Sequence, residues 1–354
     1  MNDHRTTILN PDNSLTAVCK EYIEESGNDQ RIDNFLFKRL KNIPKSHVYQ
    51  LLRSGQIRVN GKRVTAKYRL QLGDLLRIPP IINTTSKEAR SQTTINPQKK
   101  YSFSILHEDD VLLVINKPSG MAVHGGSGIS FGVIEQIRAQ NPTWKFLELV
   151  HRLDRETSGV LLIAKKRNAL VELHRQIREG LMEKHYSVMV KGEWRNAKQH
   201  VKLALNKYVT ASGERRVAIS SVGQSDSKQA HTIFSLRKTW KSFSLLDAEI
   251  KTGRTHQIRV HLAHLGYPIL GDDKYGDFEI NKQLSKATSP YQLTRMFLHA
   301  RTLKIIHPAS GIAMTLEAPL PEDLQKFTES LDKPETLAEK ASKRTPDAII
   351  RTQG

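Results

Sequence analysis

A nine-residue polar segment, His151 to Gly159, separates two short apolar runs and limits how this part of the chain can fold. The flanking runs, residues 146–150 and 160–164, have the length of buried strands rather than of helices. The segment between them is therefore predicted to be a loop. Ionisable side chains lose their hydration energy if they are buried without partners. We expect this loop to line a cleft, because five of its residues are ionisable: His151, Arg152, Asp154, Arg155 and Glu156.

The length of the chain, 354 residues, favours two domains. Apolar residues at helical spacing predict one helix between residue 31 and Pro44 and a second between Ser46 and Gly55. The pair Asn60-Gly61 then predicts a hairpin turn. We therefore expect a small domain of helices and a hairpin over residues 29–80, preceded by a flexible leader, residues 1–28.

Positive charge is concentrated in this small domain. Between Arg31 and Pro80 there are 12 Lys or Arg residues and only two acids, Asp33 and Asp74, whereas the whole chain carries +19. Such an excess favours a polyanionic partner, because counterion release contributes affinity that is independent of sequence. An anionic membrane is the other candidate, but no basic helix with a bulky apolar face is evident. We expect nucleic acid as the partner and no membrane.

The remainder of the chain is predicted to form a second, larger domain over residues 101–329. Residues 81–100 are polar and weakly patterned, which indicates a linker, and residues 330–354 indicate a disordered tail. In between, predicted strands outnumber helices and many are joined by turns too short for a parallel crossover. The expected fold class is α+β, with a mixed, mainly antiparallel sheet and flanking helices.

The single cysteine and the apolar runs bear on the compartment. Cys19 alone excludes an intrachain disulfide and fits a reducing environment. No stretch approaches 18 uninterrupted apolar residues, and the first residues include Asp3 and Asp12 instead of an apolar signal segment. We expect a cytoplasmic protein.

Two patterns suggest other chemistry. The glycine-rich segment His124 to Gly128 resembles a phosphate-binding or oxyanion loop, but neither G-x-x-x-x-G-K-[ST] nor G-x-S-x-G occurs, so a hydrolase built on His151 and Asp154 is disfavoured. Three histidines, His256, His261 and His264, raise the question of a metal, but H-E-x-x-H is absent. We predict no metal site.

The segment His151-Arg152-Leu153-Asp154-Arg155-Glu156-Thr157-Ser158-Gly159 resembles the signature loop of the RluA-type pseudouridine synthases. The resemblance extends over roughly residues 30–320. It implies an enzyme that isomerises uridine in ribosomal RNA of the large subunit, with Asp154 as the catalytic carboxylate. It also implies no cofactor, since the reaction involves no redox change and no group transfer. Attack on ribose C1′, stabilisation of an electron-poor C1′, and addition to uracil C6 all remain open as roles for Asp154.

The resemblance assigns further roles by position in the family's motifs. Arg254 would be the cation that keeps Asp154 ionised and oriented. Tyr186 would pack against the uracil, Leu298 would line the other side of the base, and Arg152 would fill the space left in the RNA when the uridine is extruded. Each residue also has a simpler interpretation: Tyr186 and Leu298 as core residues, and the two arginines as phosphate contacts.

The small basic domain resembles an S4 domain, which implies RNA binding. By that resemblance the expected phosphate contacts are Lys38, Arg39, Lys41, Lys45 and Arg53, which would position the RNA without selecting a sequence. We expect the protein to act as a monomer. The alternative function is a non-catalytic RNA-binding or ribosome-assembly protein with the same fold.

Overall fold

The computed structural model describes residues 18–40, 43, 45–81, 101–125, 131–210, 214–220, 227–286, 288–289 and 291–333. Side chains of Lys45, Ser46 and Arg215 are outside this description. Among these residues, no helix is both long and apolar enough to cross a bilayer.

The described residues fall into two compact units. The first draws on residues 1–100, 138–148 and 164–171, and the second on residues 101–137, 149–163 and 172–354. The main division thus lies between residues 100 and 101, while two short segments of the predicted larger domain group with the first unit. The detailed domain limits stay a prediction.

The described part of residues 18–81, in the first unit, contains the two predicted helices followed by the predicted hairpin. The elements are β1 (Cys19–Tyr22), α1 (Ile32–Arg39), α2 (Lys45–Arg53), β2 (Arg58–Val59), β3 (Lys62–Arg63) and β4 (Leu75–Ile78). The sheet order is β1-β4-β2-β3, and the turn between β2 and β3 contains Asn60 and Gly61, both with positive φ, as this dipeptide predicts. Apolar side chains of both helices and the sheet share one core, which includes Ile32, Leu36, Val48 and Leu76.

The prediction of a flexible leader is wrong for residues 18–28. Strand β1 pairs antiparallel with β4, from Cys19 opposite Ile78 to Tyr22 opposite Leu75, and a short 3₁₀ helix follows at Glu25–Gly27. The partner strand lies more than fifty residues away, so local composition carried no sign of it. Residues 1–17 and 82–100 lie outside the described residues. Helix α7 below extends the predicted second domain by three residues, to Asp332, and residues 334–354 of the predicted tail are outside the description.

The remaining elements follow in chain order. They are β5 (Ser104–Glu108), β6 (Leu112–Lys117), α3 (Val133–Gln140), β7 (Glu148–Leu149), β8 (Ser158–Ala164), α4 (Arg167–Glu179), β9 (Glu183–Lys191), β10 (Lys198–Lys202), β11 (Leu205–Val209), β12 (Arg215–Ile219), β13 (His231–Thr239), β14 (Phe243–Ile250), α5 (Gln257–His264), α6 (Phe278–Leu284), β15 (Leu298–Ile306), β16 (Ala313–Glu317) and α7 (Glu322–Asp332).

In the described part of the second unit, the strands form one large mixed sheet and a separate hairpin. The sheet runs β10-β13-β14-β9-β15-β8-β6-β5, with β16 beside β15 and β7 beside β8, and β11 pairs with β12. Strands β9, β13, β14 and β15 are antiparallel neighbours, whereas β15 runs parallel to β8. The mixed, mainly antiparallel α+β fold is therefore confirmed.

Close packing of β8 against β15 explains Gly159. Every residue of β8 is buried, and Gly159 has φ 114° where it pairs with Ala300. A Cβ at this position would lie 2.1 Å from the Ala300 carbonyl oxygen. Only glycine permits both this backbone conformation and this approach.

Helix α5 begins at Gln257. The residue before it is His256, which has left-handed backbone angles (φ 52°, ψ 22°) and makes no side-chain cap hydrogen bond. Its apolar residues Ile258 and Leu262 are buried. Helices α6 and α7 contribute Leu284, Leu324 and Phe327 to a core cluster with residues of β9 and β14.

Candidate active site

One opening in the second unit collects all five residues predicted to act on the substrate. Its volume is about 100 Å³, the scale of one small ring rather than of a drug-sized ligand. The predicted residues that line it are Arg152, Asp154, Tyr186, Arg254 and Leu298. The structure thus brings together segments that are separated by almost 150 residues in sequence.

The floor of the opening is one face of the sheet. Tyr186 on β9 pairs with Ala248 on β14 and with Ala300 on β15. Because directly opposite residues and alternate residues of a strand share a face, Leu298 and Ile250 project on the same side as Tyr186. Tyr186, Leu298 and Ile250 all line the opening.

The predicted partner of Asp154 needs a correction. Asp154 Oδ2 lies 3.6 Å from Nη1 of Arg259 and 3.8 Å from Nε2 of His256. Arg254 lines the opening but is exposed, and its Nε donates to the Gln229 carbonyl oxygen at 3.0 Å. The guanidinium paired with Asp154 is therefore Arg259, which is buried in α5, whereas Arg254 is exposed in the turn before the helix.

Arg259 is a buried cation held by several carboxylates. Its Nε and Nη2 form a bidentate pair with Asp272 at 2.7 and 2.6 Å, and Nη2 also donates to Asp273 at 3.1 Å. Burial lowers the pKa of Arg259, but the hydrogen bonds and charge of Asp272, with the charges of Asp154 and Asp273, outweigh this effect and raise it. The guanidinium stays charged and fixed, with Nη1 directed at Asp154.

Tyr186 is buried beside the same carboxylate. Desolvation, followed by the negative charge of Asp154, raises the pKa of its hydroxyl. The side chain is therefore protonated at neutral pH. A neutral phenol can pack against a ring and donate a hydrogen bond, but it is a poor base.

A buried lysine anchors the loop that carries Asp154. Lys117 is fully buried, and its Nζ donates to the carbonyl oxygens of Pro118, Met121 and Arg155 at 2.8, 2.7 and 3.0 Å. Burial lowers the pKa of Lys117 to about 7, with opposing contributions from Glu156 and Asp154. Three carbonyl acceptors match the three hydrogens of an ammonium group. Lys117 therefore ties the turn after β6 to the residue that follows Asp154.

Replacing Lys117 with Met is expected to lower the free energy of unfolding by about 2–4 kcal/mol, because three buried carbonyl groups lose their donor. Urea denaturation would measure the change. Lys166, which is exposed, offers the matched control: Lys166→Met should shift the free energy of unfolding by less than about 0.5 kcal/mol. Equal midpoints for the two variants would show that the buried contacts contribute nothing.

The geometry of His151 and Ser158 argues against the hydrolase alternative. Nε2 of His151 accepts a hydrogen bond from the Leu162 amide, and burial lowers the pKa of this histidine to about 3. Ser158 does contact a histidine, His299, at 2.9 Å, but both side chains are buried. His299 in turn bonds the Ala318 carbonyl oxygen, so this pair serves the interior rather than a substrate.

Two of the three histidines considered for a metal have other hydrogen-bond partners. His256 contacts Tyr275, and His261 bonds Thr232 and the Leu203 carbonyl oxygen. Over the described ranges, no group of three His, Cys, Asp or Glu side chains is arranged to hold a metal ion. The prediction that the protein needs no metal remains a prediction.

The charge of the first unit is displayed toward solvent. Asp33 and Asp74, the two acids between Arg31 and Pro80, are buried, with Asp33 bonded to Arg31 and Asp74 to Asn60 and Tyr68. The surface of this segment is consequently one-signed. Such a surface fits a polyanion better than a mixed protein partner.

Of the five predicted phosphate contacts, three have described side chains. Arg53 is exposed, whereas Lys38 pairs with Glu148 at 2.5 Å and Arg39 with Glu21 at 3.2 Å. A phosphate would have to replace these carboxylates. Lys41 and the side chain of Lys45 lie outside the described residues. Gly126 and Gly128 of the glycine-rich segment are likewise outside them.

Sequence patterns missed three residues around Asp154, although two of them had a detectable signal. Arg259 is a charged residue inside the buried start of α5, and a buried cation requires carboxylates such as Asp272. Lys117 ends an apolar strand immediately before a proline. Tyr275, which contacts His256, had no such signal, since its role depends on a turn that follows α5.

Comparisons with known protein families agree with both units. The profile described as RNA pseudouridylate synthase matches residues 111–264, and the S4 domain profile matches residues 30–76. A relative from Escherichia coli (strain K12), named ribosomal large subunit pseudouridine synthase C, is 48% identical over 308 residues, which cover 87% of this chain and 94% of that protein. A protein of the same name from Pasteurella multocida (strain Pm70) is 46% identical over 315 residues, with 89% and 94% covered.

Solved structures show the same architecture. Human RNA pseudouridylate synthase domain containing 1 superposes with a TM-score of 0.53 at 25% identity, covering 72% of this chain and 100% of that chain. Human RNA pseudouridylate synthase domain containing 4 gives a TM-score of 0.52 at 25% identity, covering 65% and 93%.

Proposed function

The chain belongs to the RNA pseudouridylate synthase family and is an RNA pseudouridine synthase, and from this premise we propose that it modifies specific uridines in large-subunit (23S) ribosomal RNA with C-type specificity. The proposal on the substrate is supported by relatives named ribosomal large subunit pseudouridine synthase C, which are 46–48% identical over most of the chain. Ribosomal RNA as the substrate would require the protein to lie in the cytoplasm. The proposal is compatible with the expected monomer, because one protein chain supplies every residue invoked below.

The observation that carries the proposal is the environment of Asp154. Its carboxylate borders a ring-sized opening, faces the fixed cation Arg259, and lies on a loop anchored by Lys117. Arg259 holds the carboxylate in place, and the ionised carboxylate is the form needed to attack or stabilise ribose C1′ or to add to uracil C6. All three routes use the same group.

The reaction rearranges one nucleotide without any other reactant. The N1–C1′ bond breaks, the uracil turns while it is held in the opening, and C5 bonds to C1′. The C5 hydrogen leaves as a proton, and N1 gains one. Tyr186 on the sheet floor and Leu298 beside it would hold the free ring, because a neutral phenol and a leucine offer flat apolar contact without competing for protons.

A uridine stacked within RNA cannot reach Asp154, so the enzyme must extrude it. Arg152 is exposed, lines the same opening and stands two residues before Asp154. Extrusion costs a few kcal/mol because the base loses its stacking. The Arg152 side chain is the candidate to occupy the space that the base vacates. Arg254, exposed at the rim, would contact the RNA backbone.

The first unit would hold the RNA through its phosphates. Its surface between residues 31 and 80 is basic, since the two acids there are buried. Lys38, Arg39, Lys41, Lys45 and Arg53 are the proposed contacts. Such contacts position the substrate, while selection of the uridine depends on the RNA around the opening.

A position-resolved map of pseudouridine in ribosomal RNA tests this proposal. We expect cells without the gene to lack pseudouridine at a small set of large-subunit positions, and the wild-type gene to restore them. The Asp154→Ala variant, produced at the same level, should restore none. An unchanged map in the deletion would reject this substrate, and restoration by Asp154→Ala would support a non-catalytic role in RNA binding instead.

A further inference from the structure

A chain of contacts connects the β11–β12 hairpin with the carboxylate of Asp154. The amide of Val217 on β12 donates to the hydroxyl oxygen of Tyr275 at 3.0 Å, and this hydroxyl lies 2.8 Å from Nδ1 of His256. Nε2 of the same imidazole faces Asp154 Oδ2 at 3.8 Å. His256 therefore stands between a tyrosine and the proposed catalytic group.

The direction of the hydrogen bond between Tyr275 and His256 can be worked out. The Tyr275 oxygen accepts from Val217, and no other acceptor contacts its hydrogen in the part of the chain that the structure describes. The hydroxyl therefore donates to Nδ1, because its hydrogen would otherwise be unsatisfied in a half-buried site. A neutral imidazole that accepts at Nδ1 carries its proton on Nε2.

The backbone supports a dedicated orientation. His256 is one of the few described residues other than glycine with left-handed backbone angles, which bulky side chains rarely adopt. This conformation is maintained at the start of α5, immediately before the helix that carries Arg259. Backbone strain of this kind persists where surrounding contacts fix the conformation, and it is most common at functional sites.

From these contacts we propose that His256 is a positioning residue for Asp154, and that Tyr275 holds its neutral ring in the tautomer that points Nε2–H at the carboxylate. At 3.8 Å the two atoms are in contact but not hydrogen-bonded, and a movement of about 1 Å would bring them within hydrogen-bonding distance. The opposite tautomer would direct a lone pair at the carboxylate and repel it. This inference rests on the proposed function of Asp154.

The charged surroundings agree with a neutral ring at neutral pH. Burial lowers the pKa of His256; Asp154 and Asp272 act to raise it, and Arg259 and Lys274 act to lower it further. Burial also raises the pKa of the Tyr275 hydroxyl, which keeps its proton available for donation. The Arg259 guanidinium lies over the Tyr275 ring, 5.2 Å from its centre, so the tyrosine contacts both partners of Asp154.

The Tyr275→Phe variant gives a pH-dependent test. In this variant the His256 ring is neutral above the imidazole pKa and can adopt either tautomer. We therefore expect kcat/KM at pH 8 to fall about five-fold, the effect of losing one neutral hydrogen bond. Below that pKa the protonated ring carries hydrogen on both nitrogens, so the deficit should shrink as the pH is lowered through the imidazole pKa. Tyr267→Phe is the matched control, because among the described residues the hydrogen-bond partner of its exposed hydroxyl is the Glu193 carbonyl oxygen, at 3.4 Å. Its profile should coincide with that of wild type.

Substitutions of His256 separate the two ring nitrogens. The amide nitrogen of Gln reaches the position of Nε2, so His256→Gln should retain most activity at pH 8, and adding Tyr275→Phe should cause no further loss. The amide of Asn reaches only the position of Nδ1, so His256→Asn should lose about five-fold at every pH. A Tyr275→Phe deficit that is absent or constant with pH, or a further loss in the His256→Gln background, would overturn the proposal.

Nitrogen-15 NMR of histidine-labelled protein tests the tautomer without reference to catalysis. The His256 signals, assigned by their absence from the Gln variant, should show protonated Nε2 and unprotonated Nδ1 in wild type. In Tyr275→Phe both tautomers should appear and the pKa should rise, because the donor that stabilised the neutral ring is gone. Protonated Nδ1 in neutral wild type would overturn the inference. Activity retained by an Asp154 variant would instead reject the function on which it rests.

Discussion

The Asp154→Asn variant is expected to release tritium from RNA labelled at uridine C5 at least about 10⁴-fold more slowly than wild type. The substitution keeps the size of the side chain and removes its charge. All three proposed routes need an ionised carboxylate, so none survives in the amide. The assay follows the C5 hydrogen, which is lost only when pseudouridine forms.

The folded structure should tolerate this change. Asp154 is 19% exposed and lies 3.6 Å from Arg259, which keeps its closer partner Asp272. We expect the free energy of unfolding to change by less than about 1 kcal/mol and RNA affinity to remain within about two-fold of wild type. Asp273→Asn removes another carboxylate from Arg259, one that is 64% exposed, and should retain most activity. Tritium release by Asp154→Asn at the wild-type rate would remove Asp154 from the mechanism.

Arg259→Met is expected to cause both a loss of about 3–5 kcal/mol in the free energy of unfolding and a loss of at least about 100-fold in activity. The first effect arises because Asp272, which is fully buried, loses its bidentate partner. The second arises because Asp154 loses the cation that orients it. Arg254→Met provides the comparison, since that exposed guanidinium makes its described side-chain contact with a backbone carbonyl. Its stability should change by less than about 0.5 kcal/mol.

The two effects of Arg259 can be separated by a second substitution. Arg259→Met with Asp272→Asn removes the uncompensated buried charge, so much of the lost stability should return while activity stays low. Arg259→Lys keeps the charge but cannot form the bidentate pair, and it should also be impaired. If Arg254→Met lost more activity than Arg259→Met, Arg254 would be the functional partner of Asp154 despite its contacts in the free protein.

Short-range patterns were sufficient for the first unit because its elements depend on neighbours in sequence. The helices α1 and α2 follow from apolar residues at helical spacing and from Pro44 and Gly55, and the hairpin follows from Asn60-Gly61. Strand β1 could not be predicted in this way. Its backbone hydrogen bonds are satisfied by β4, and pairing between distant segments leaves little trace in local composition.

The active-site residues also divide into those that local motifs identify and those that only the folded structure identifies. Asp154, Tyr186 and Leu298 could be picked out by their motifs, and the structure brings them to one opening. The choice between Arg254 and Arg259 could not be made, since the two are five residues apart and both are arginines in one polar segment. That choice depends on packing, since Arg259 is buried beside Asp154 and Asp272 whereas Arg254 is exposed in the turn before α5.

By itself the sequence determined the strand-loop-strand segment around Asp154, the basic character of residues 31–80 and the family of the enzyme, because these depend on residue types and their local order. Only the tertiary structure decided that Arg259 pairs with Asp154, that Lys117 anchors its loop and that Tyr275 reaches His256. Each of these contacts joins separate segments of the chain. The energies of these contacts depend on burial and on hydrogen-bond geometry, and both are defined only in the folded chain.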